Sequence, residues 1–227
     1  MASEDPIIKA LQQFSTCDIS DALLKLNHPN GGFLSNLTLW SPQRQEGNTK
    51  IIGAAYTVKY VLKGTGAAVH QGHYIDSIPT GAVVFISSPK TVNAVYGGLM
   101  SNRAQVSGAV GTIVDGRIRD LDEHRGLGFP VFARNIGTAS PYEVVTVSEV
   151  NVPVKLQTEE QNVTINPGDY LIGDLNGVVC LPRELAKEAV PLMAPQVEAD
   201  RKIASDIQAG MTFMEASKKN RSALRKP

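Results

Sequence analysis

Near the start of the chain, apolar residues fall on one helical face in two short stretches, Pro6 to Phe14 and Asp18 to Leu26, separated by the capping hydroxyls of Ser15 and Thr16. Two short helices are predicted there. Asn27 to Phe33 and Pro42 to Thr49 carry the glycine, proline and polar residues of loops, and the β-rich run Ile51 to Val61 predicts that the sheet begins at Ile51. Gly66 to Ser77 reads as a helix. Gly81-Ala-Val-Val-Phe-Ile-Ser87 is a short apolar run bounded by turn residues, the pattern of a strand buried on both faces. A helix opened by glycines, Gly97 to Ser107, leads to Gly111-Thr-Ile-Val-Asp-Gly116, a strand expected to end in a tight turn. Together these make a β-α-β unit, whose strands should be parallel and whose crossover should be right-handed.

From Val131 onward the pattern changes to short strands: Val131 to Asn135, Glu143 to Glu149, Val152 to Leu156, Asn162 to Ile165, Tyr170 to Gly173 and Val178 to Leu181. Asn166-Pro167-Gly168-Asp169 and Asp174-Leu-Asn-Gly177 are turn sequences, since proline presets φ and glycine accepts positive φ, and they imply antiparallel hairpins. Helices resume at Arg183 to Met193 and Gln196 to Gln208, with Gly210 as a stop and a basic tail ending Arg225-Lys226-Pro227. No repeat or Ser/Gly-rich linker interrupts the chain. The αβ half and the β-rich half are therefore expected to share one core.

Composition narrows the function classes. Lys plus Arg and Asp plus Glu number 22 each in 227 residues, so the excess of positive charge that a nucleic-acid partner demands is absent. No apolar run approaches the ~18 residues that span a bilayer, and Met1 to Asp5 is acidic where a secretory signal is basic. A cytoplasmic protein with neither nucleic acid nor membrane as partner is expected. Cys17 and Cys180 stand alone, without a Cys/His cluster, and read as two buried thiols rather than a disulfide or a zinc site.

Candidate chemistry concentrates at the two ends of the β-α-β unit. Gly97-Gly98 at a helix start leaves the amides of Gly98, Leu99 and Met100 open to a small anion, although paired glycines also serve close helix–sheet packing. Arg119-Asp120 follows the strand Thr112 to Asp115, at the carboxyl end where open α/β sheets place ligands. Such an arginine can fork onto a carboxylate, and such an aspartate can hold a hard divalent cation that keeps most of its waters. The alternative is a solvated cluster in which Arg117, Arg119, Asp120, Asp122, Glu123, His124 and Arg125 pair among themselves. No lysine stands out as a Schiff-base former.

The runs Gly97-Gly-Leu-Met100, Gly111-Thr-Ile-Val-Asp-Gly-Arg-Ile-Arg-Asp120 and Gly128-Phe-Pro-Val-Phe-Ala-Arg134 resemble the family of 4-hydroxy-4-methyl-2-oxoglutarate aldolases and regulator of ribonuclease activity A (RraA)-like proteins, its fungal members above all. Ser15-Thr-Cys-Asp-Ile-Ser-Asp-Ala-Leu23, Gly53-Ala-Ala-Tyr-Thr-Val58 and Pro167-Gly-Asp-Tyr-Leu-Ile-Gly-Asp-Leu-Asn-Gly-Val-Val179 extend the likeness from about Phe14 to Gly210. The resemblance implies a single α/β domain over residues 1–227, a three-layer β/β/α swivelling-domain (RraA-like) fold with N- and C-terminal helices. Its core would cover about 14–182, and C-terminal helices within 183–219 would pack on a ring, in a homotrimer or dimer of trimers.

It further implies a class II pyruvate-type carbon–carbon lyase, acting on small α-keto acids by cleaving 4-hydroxy-4-methyl-2-oxoglutarate, decarboxylating oxaloacetate, or both. A non-catalytic regulator that binds a ribonuclease or helicase is the other function the family offers. By the resemblance Asp120 holds Mg²⁺ or Mn²⁺, Arg119 contacts the substrate's keto oxygen, and the amides of Gly98, Leu99 and Met100 bind its carboxylate. Glu198 of a neighbouring subunit, or else Asp200, would hold a water on the metal, and Glu198 can equally form an i,i+4 pair with Lys202. Two positions depart from the family. Gly98 stands where many of its aldolases carry an acid, and Gly66-Ala-Ala-Val-His70 lacks an asparagine for which His70 or His73 would have to substitute.

Overall fold

The computed structural model describes residues 5–222, so the opening Met1 to Glu4 and the basic end Arg225-Lys226-Pro227 lie outside the described residues. In chain order the elements are α1 (Pro6–Leu11), α2 (Thr16–Lys25), β1 (Phe33–Leu34), β2 (Thr38–Ser41), β3 (Ile51–Leu62), β4 (Ala82–Ser87), β5 (Ala94–Tyr96), α3 (Gly98–Val106), β6 (Gly111–Ile118), α4 (Leu121–Gly126), β7 (Val131–Ile136), β8 (Val145–Val150), β9 (Val154–Lys155), β10 (Thr164–Ile165), β11 (Tyr170–Asp174), β12 (Gly177–Leu181), α5 (Ala186–Gln208) and α6 (Phe213–Arg221). They form two compact units, one holding the segments up to Gly31 and from Glu184 onward, the other Gly32–Arg183.

The first unit is helical. Ser15 caps α2 through a reciprocal box in which its hydroxyl accepts from the Asp18 amide and the Asp18 carboxylate accepts from the Ser15 amide at 2.8 Å. The two C-terminal helices expected at Arg183–Met193 and Gln196–Gln208 are one helix, α5, which runs through Pro191 and Pro195. Each proline removes an i→i−4 hydrogen bond. The buried stripe of Ala186, Ala189, Met193, Ala199 and Ile203 nevertheless keeps its helical spacing across both prolines, and its packing holds the helix together. Gly210 ends the helix region with φ +95°, and a further helix, α6, starts at a second capping box between Thr212 and Glu215.

The second unit is built on a mixed ten-stranded sheet in the order β1-β12-β11-β3-β4-β6-β7-β2, with β5 beside the end of β6 and β8 beside the end of β3. The sheet therefore begins at Phe33, not at Ile51, because β1 pairs with β12 and β2 with β7 through residues that the sequence hides among loop signals. At its centre β3, β4, β6 and β7 are parallel. Alternation along β4 sends Val84 and Ile86 into one apolar cluster and Val83 and Phe85 into another, so this strand is covered on both faces as its sequence predicts. Helical residues such as Ala104 and Leu121 join the first cluster, whereas Leu34, Val154 and Leu171 from further strands fill the second. Strands from both halves of the sequence share this one sheet.

Several expected boundaries move. Residues 66–77 form no α-helix: Gly64, Gly66 and Gly72 take φ of +79°, +74° and +82°, and only a 3₁₀ turn at Tyr74–Ser77 remains. Asp115-Gly116 makes no turn either, since β6 continues to Ile118 where it meets β5. The Asp174–Gly177 turn joins β11 and β12 as an antiparallel hairpin, but the Asn166–Asp169 turn does not join a pair, because β10 pairs with β9 while β11 pairs with β3 and β12. Neither cysteine is in a disulfide; Cys180 is buried, but Cys17 is exposed on α2 rather than buried as expected. Among the described residues no helix is long and apolar enough to cross a membrane.

One glycine in the sheet can be tested. A Cβ on Gly173 of β11 would lie 2.8 Å from Cζ of Phe132 and 3.1 Å from Cγ1 of Ile51, both inside the second cluster. Gly173→Ala is expected to lower the unfolding free energy by about 1–3 kcal/mol, measured as a shift in denaturant midpoint at unchanged m-value.

Candidate active site

Arg119 and Asp120 follow directly on the last residue of β6, at the carboxyl end of a parallel strand. The Arg119 amide donates to the carbonyl of Tyr96, the last residue of β5, at 3.0 Å, which pins the turn against the entry to α3. Asp120 is the N-cap position of α4 and takes φ 59° and ψ 47°, the left-handed region. Its spacing to Glu123 is that of a capping box, yet its side chain caps nothing in α4. A normal N-cap has extended backbone; the left-handed turn swings the carboxylate away from its own helix. Oδ2 instead accepts from the Gly98 amide at 3.1 Å and lies 3.6 Å from Nε of Arg119. Roughly a third or more of each side chain remains exposed, 39% for Arg119 and 36% for Asp120.

The glycine pair makes room for this arrangement. Gly97 is extended, so its requirement is space: a Cβ there would sit 2.5 Å from Oδ2 of Asp120. At Gly98 a Cβ would sit 1.9 Å from Oε2 of Glu123. The carboxylate of Glu123, carried on α4, thus fills the place where a side chain at position 98 would begin. Gly97→Ala is expected to push the Asp120 carboxylate aside while the melting temperature, followed by thermal unfolding, stays within a few degrees of the parent.

Of the three amides at the start of α3, Gly98 donates to Asp120 and Met100 to the Gly97 carbonyl at 3.0 Å. Among the described residues the Leu99 amide has no hydrogen-bond acceptor, and Leu99 is 75% exposed. An open depression of about 280 Å³ lies alongside, lined by Gly98, Leu99, Asn102, Glu123, Gly126 and Leu127.

Beneath the turn runs a buried polar chain. Nδ1 of His124 lies 2.8 Å from the Ser101 hydroxyl, which donates to the Tyr96 hydroxyl at 3.2 Å, itself 3.0 Å from the Thr112 hydroxyl. The His124 ring also stacks on Tyr96. Burial lowers the His124 pKa against the opposing pull of the Arg119 backbone and the Asp120 charge, and burial pushes Tyr96 up to about 12. These groups tie α3, α4 and β6 together under the Arg119–Asp120 turn. The sequence places Glu123 and His124 in the charged cluster after β6, but not the contact of Glu123 with the start of α3 nor the buried chain through Ser101 and Tyr96.

Glu198 and Asp200 lie on α5 in the helical unit. Hydrogen bonds from Arg201 at 2.9 Å, with Lys202 at 3.4 Å, hold the exposed Glu198 carboxyl down to about 2. Asp200 pairs with Arg221 and accepts from Gln196 at 3.0 Å. His73 caps the 3₁₀ turn by accepting from the Ile75 amide at 3.3 Å, and the His70 amide donates to the Val147 carbonyl at 3.0 Å. Among the described residues no group of three or more His, Cys, Asp or Glu gathers to enclose an ion. Asp120 and Glu123 give two hard oxygen donors at one turn, which fits Mg²⁺ or Mn²⁺ retaining water or substrate ligands and does not fit a closed protein cage.

Residues 16–180 match the RraA-like family, described as Aldolase/RraA, and the chain belongs to that family. It is 32% identical over 222 residues to "Protein DlpA" of Legionella pneumophila, covering 95% of this chain but only 34% of that protein, so it spans about a third of that relative's length. It is 29% identical over 217 residues to a Halalkalibacterium halodurans protein named "Putative 4-hydroxy-4-methyl-2-oxoglutarate aldolase", covering 94% of this chain and 96% of the other. Among solved structures, an uncharacterized protein from Pseudomonas syringae superimposes with a TM-score of 0.77 at 27% identity, covering 93% of this chain and 96% of that one. The mixed α/β architecture is that of the RraA-like fold.

Proposed function

We propose that the chain is a divalent-metal-dependent class II pyruvate-type lyase that cleaves 4-hydroxy-4-methyl-2-oxoglutarate to pyruvate, decarboxylates oxaloacetate, or both. The observation that carries this reading is the diversion of Asp120 from its own helix cap to the start of α3, beside Arg119. The left-handed backbone, which aspartate adopts more readily than most residues, turns this carboxylate out of its helix to where the Gly98 amide and the Arg119 guanidinium meet. The relative named for this aldolase supports the same chemistry.

On this reading Asp120 holds Mg²⁺ or Mn²⁺, with Glu123 as the chain's own second carboxylate. Glu198 of the partner subunit is the first choice for a further outer carboxylate and Asp200 the second; Glu198 would have to release Arg201 to act so. A metal held there supplies Lewis-acid stabilisation of the negative charge left on an α-keto acid when the adjacent C–C bond breaks. Arg119 adds a fixed guanidinium at the keto oxygen, a preorganised donor typically worth ~3 kcal/mol. The Leu99 amide takes the substrate carboxylate, with the Gly98 and Met100 amides available once their present acceptors yield. Aldol cleavage also needs an acceptor for the 4-hydroxyl proton, and Glu123, directly or through one water, is the nearest such group at this helix start. So open a site is best completed by a second copy, and the exposed Leu99 and Val106 on one face of α3 are consistent with such a contact; the trimer or dimer of trimers is what the family resemblance implies.

The test is pyruvate release from each of the two substrates, first with Mg²⁺ and then with a chelator. Chelator-sensitive release from at least one is expected; silence on both at high enzyme concentration would overturn the proposal.

A further inference from the structure

The carboxyl ends of three parallel strands converge on a second cavity, which none of the groups assigned above lines. Ser88 follows β4, Asp115 to Arg117 lie near the end of β6, and Arg134 and Asn135 lie on β7. With the 89–93 and 157–160 loops they enclose about 480 Å³, within the ordinary range for small-molecule sites.

Its base is organised around Asp115, whose side chain is fully buried. One of its oxygens takes Nε of Arg134 and the other takes the Gln157 amide, so the carboxylate is fully engaged in holding an arginine and a loop. Burial raises its pKa against the opposing pull of the Gln157 amide and Arg134. The arginine keeps donors to spare. Nη2 of Arg134 is buried without an acceptor among the described residues, so an anion would engage it only as the guanidinium turns toward the cavity that the residue lines; 21% of the side chain is exposed. Arg117, on the neighbouring strand and also lining the cavity, donates Nη1 to the Ile136 carbonyl at 2.8 Å and pairs with no carboxylate among the described residues. The other charges are at the rim. Lys90 and Glu159 pair at 3.2 Å with side chains 66% and 94% exposed, and Glu160 accepts from Asn36.

Over the whole lining Lys90, Arg117 and Arg134 balance Asp115, Glu159 and Glu160, but the charges are sorted: the two guanidiniums share the base with Asp115, already occupied by Arg134 and the Gln157 amide, while Glu159 pairs with Lys90 and Glu160 with Asn36. A guanidinium fork so placed suits a carboxylate or phosphate. We infer that this cavity is a second ligand site, separate from the Arg119–Asp120 turn, that takes a small metabolite through a carboxylate or phosphate group held between Arg117 and Arg134.

Titration calorimetry with inorganic phosphate and, separately, malonate, both with chelator present, tests it on the full-length protein. Saturable binding of at least one is expected in the parent and in Asp120→Asn, and whichever binds identifies the anion class. Arg117→Gln, which leaves the Asp115–Arg134 pair intact, should weaken binding by about tenfold or more. Arg134→Lys should do the same wherever it folds. No saturable binding of either anion across the millimolar range, parent affinity in Arg117→Gln, or loss of binding in Asp120→Asn would each overturn the assignment.

Discussion

Asp120→Asn is expected to fold like the parent and to lose Mg²⁺-dependent pyruvate release. Asparagine has nearly the same shape, tolerates the left-handed region that φ 59° requires, and can still accept from the Gly98 amide through Oδ1. What it lacks is the negative charge. Because that charge is the direct holder of the cation in the proposed site, the loss should exceed the roughly 10–100-fold that removing an outer partner of a metal site causes. Alanine is a poorer probe, since a Cβ without a local polar group is strained at this φ and would confound chemistry with stability. The measurements are turnover against Mg²⁺ concentration and thermal unfolding of the same sample. Parent turnover in the asparagine variant would remove Asp120 from the reaction.

How far such a site can be read in a sequence depends on which interactions are local. The strand at Gly81–Ser87 was legible because a strand covered on both faces has no polar positions to interrupt it, and α2 was legible because its cap is a side chain three residues from its partner. Arg119 and Asp120 could be singled out by position, at the carboxyl end of a strand. What could not be read is where Asp120 points. Its left-handed backbone, its bond to an amide 22 residues away and the space that Gly97 leaves for it are all settled by the packing of α3 against α4. Glu123 could be placed in the charged cluster after β6 but not beside Gly98, where its carboxylate, carried on another helix, fills the space a side chain would take. The run through Pro191 and Pro195 and the glycine-bent loop before Tyr74 failed in the opposite sense, since in one packing overrode a local breaker and in the other local glycines overrode an apparent helical pattern.

Arg119→Lys should lower kcat by about 10²–10³ while leaving the dependence on Mg²⁺ concentration unchanged. Lysine keeps the charge, so a role that needed only a cation beside Asp120 would survive the change. The structure argues for more than charge. Nε of Arg119 is 3.6 Å from Asp120, too long for a tight hydrogen bond, and 39% of the side chain is open. The planar fork is therefore not consumed by its neighbour and can present donors to a keto oxygen as negative charge builds there, which a flexible ammonium on a single stem reproduces poorly. Separating the two effects gives the result its meaning: Asp120→Asn should move the Mg²⁺ requirement, Arg119→Lys only the rate at saturating Mg²⁺. Parent kcat in the lysine variant would reduce Arg119 to a point charge, and a raised Mg²⁺ requirement would place it with the cation instead of the substrate.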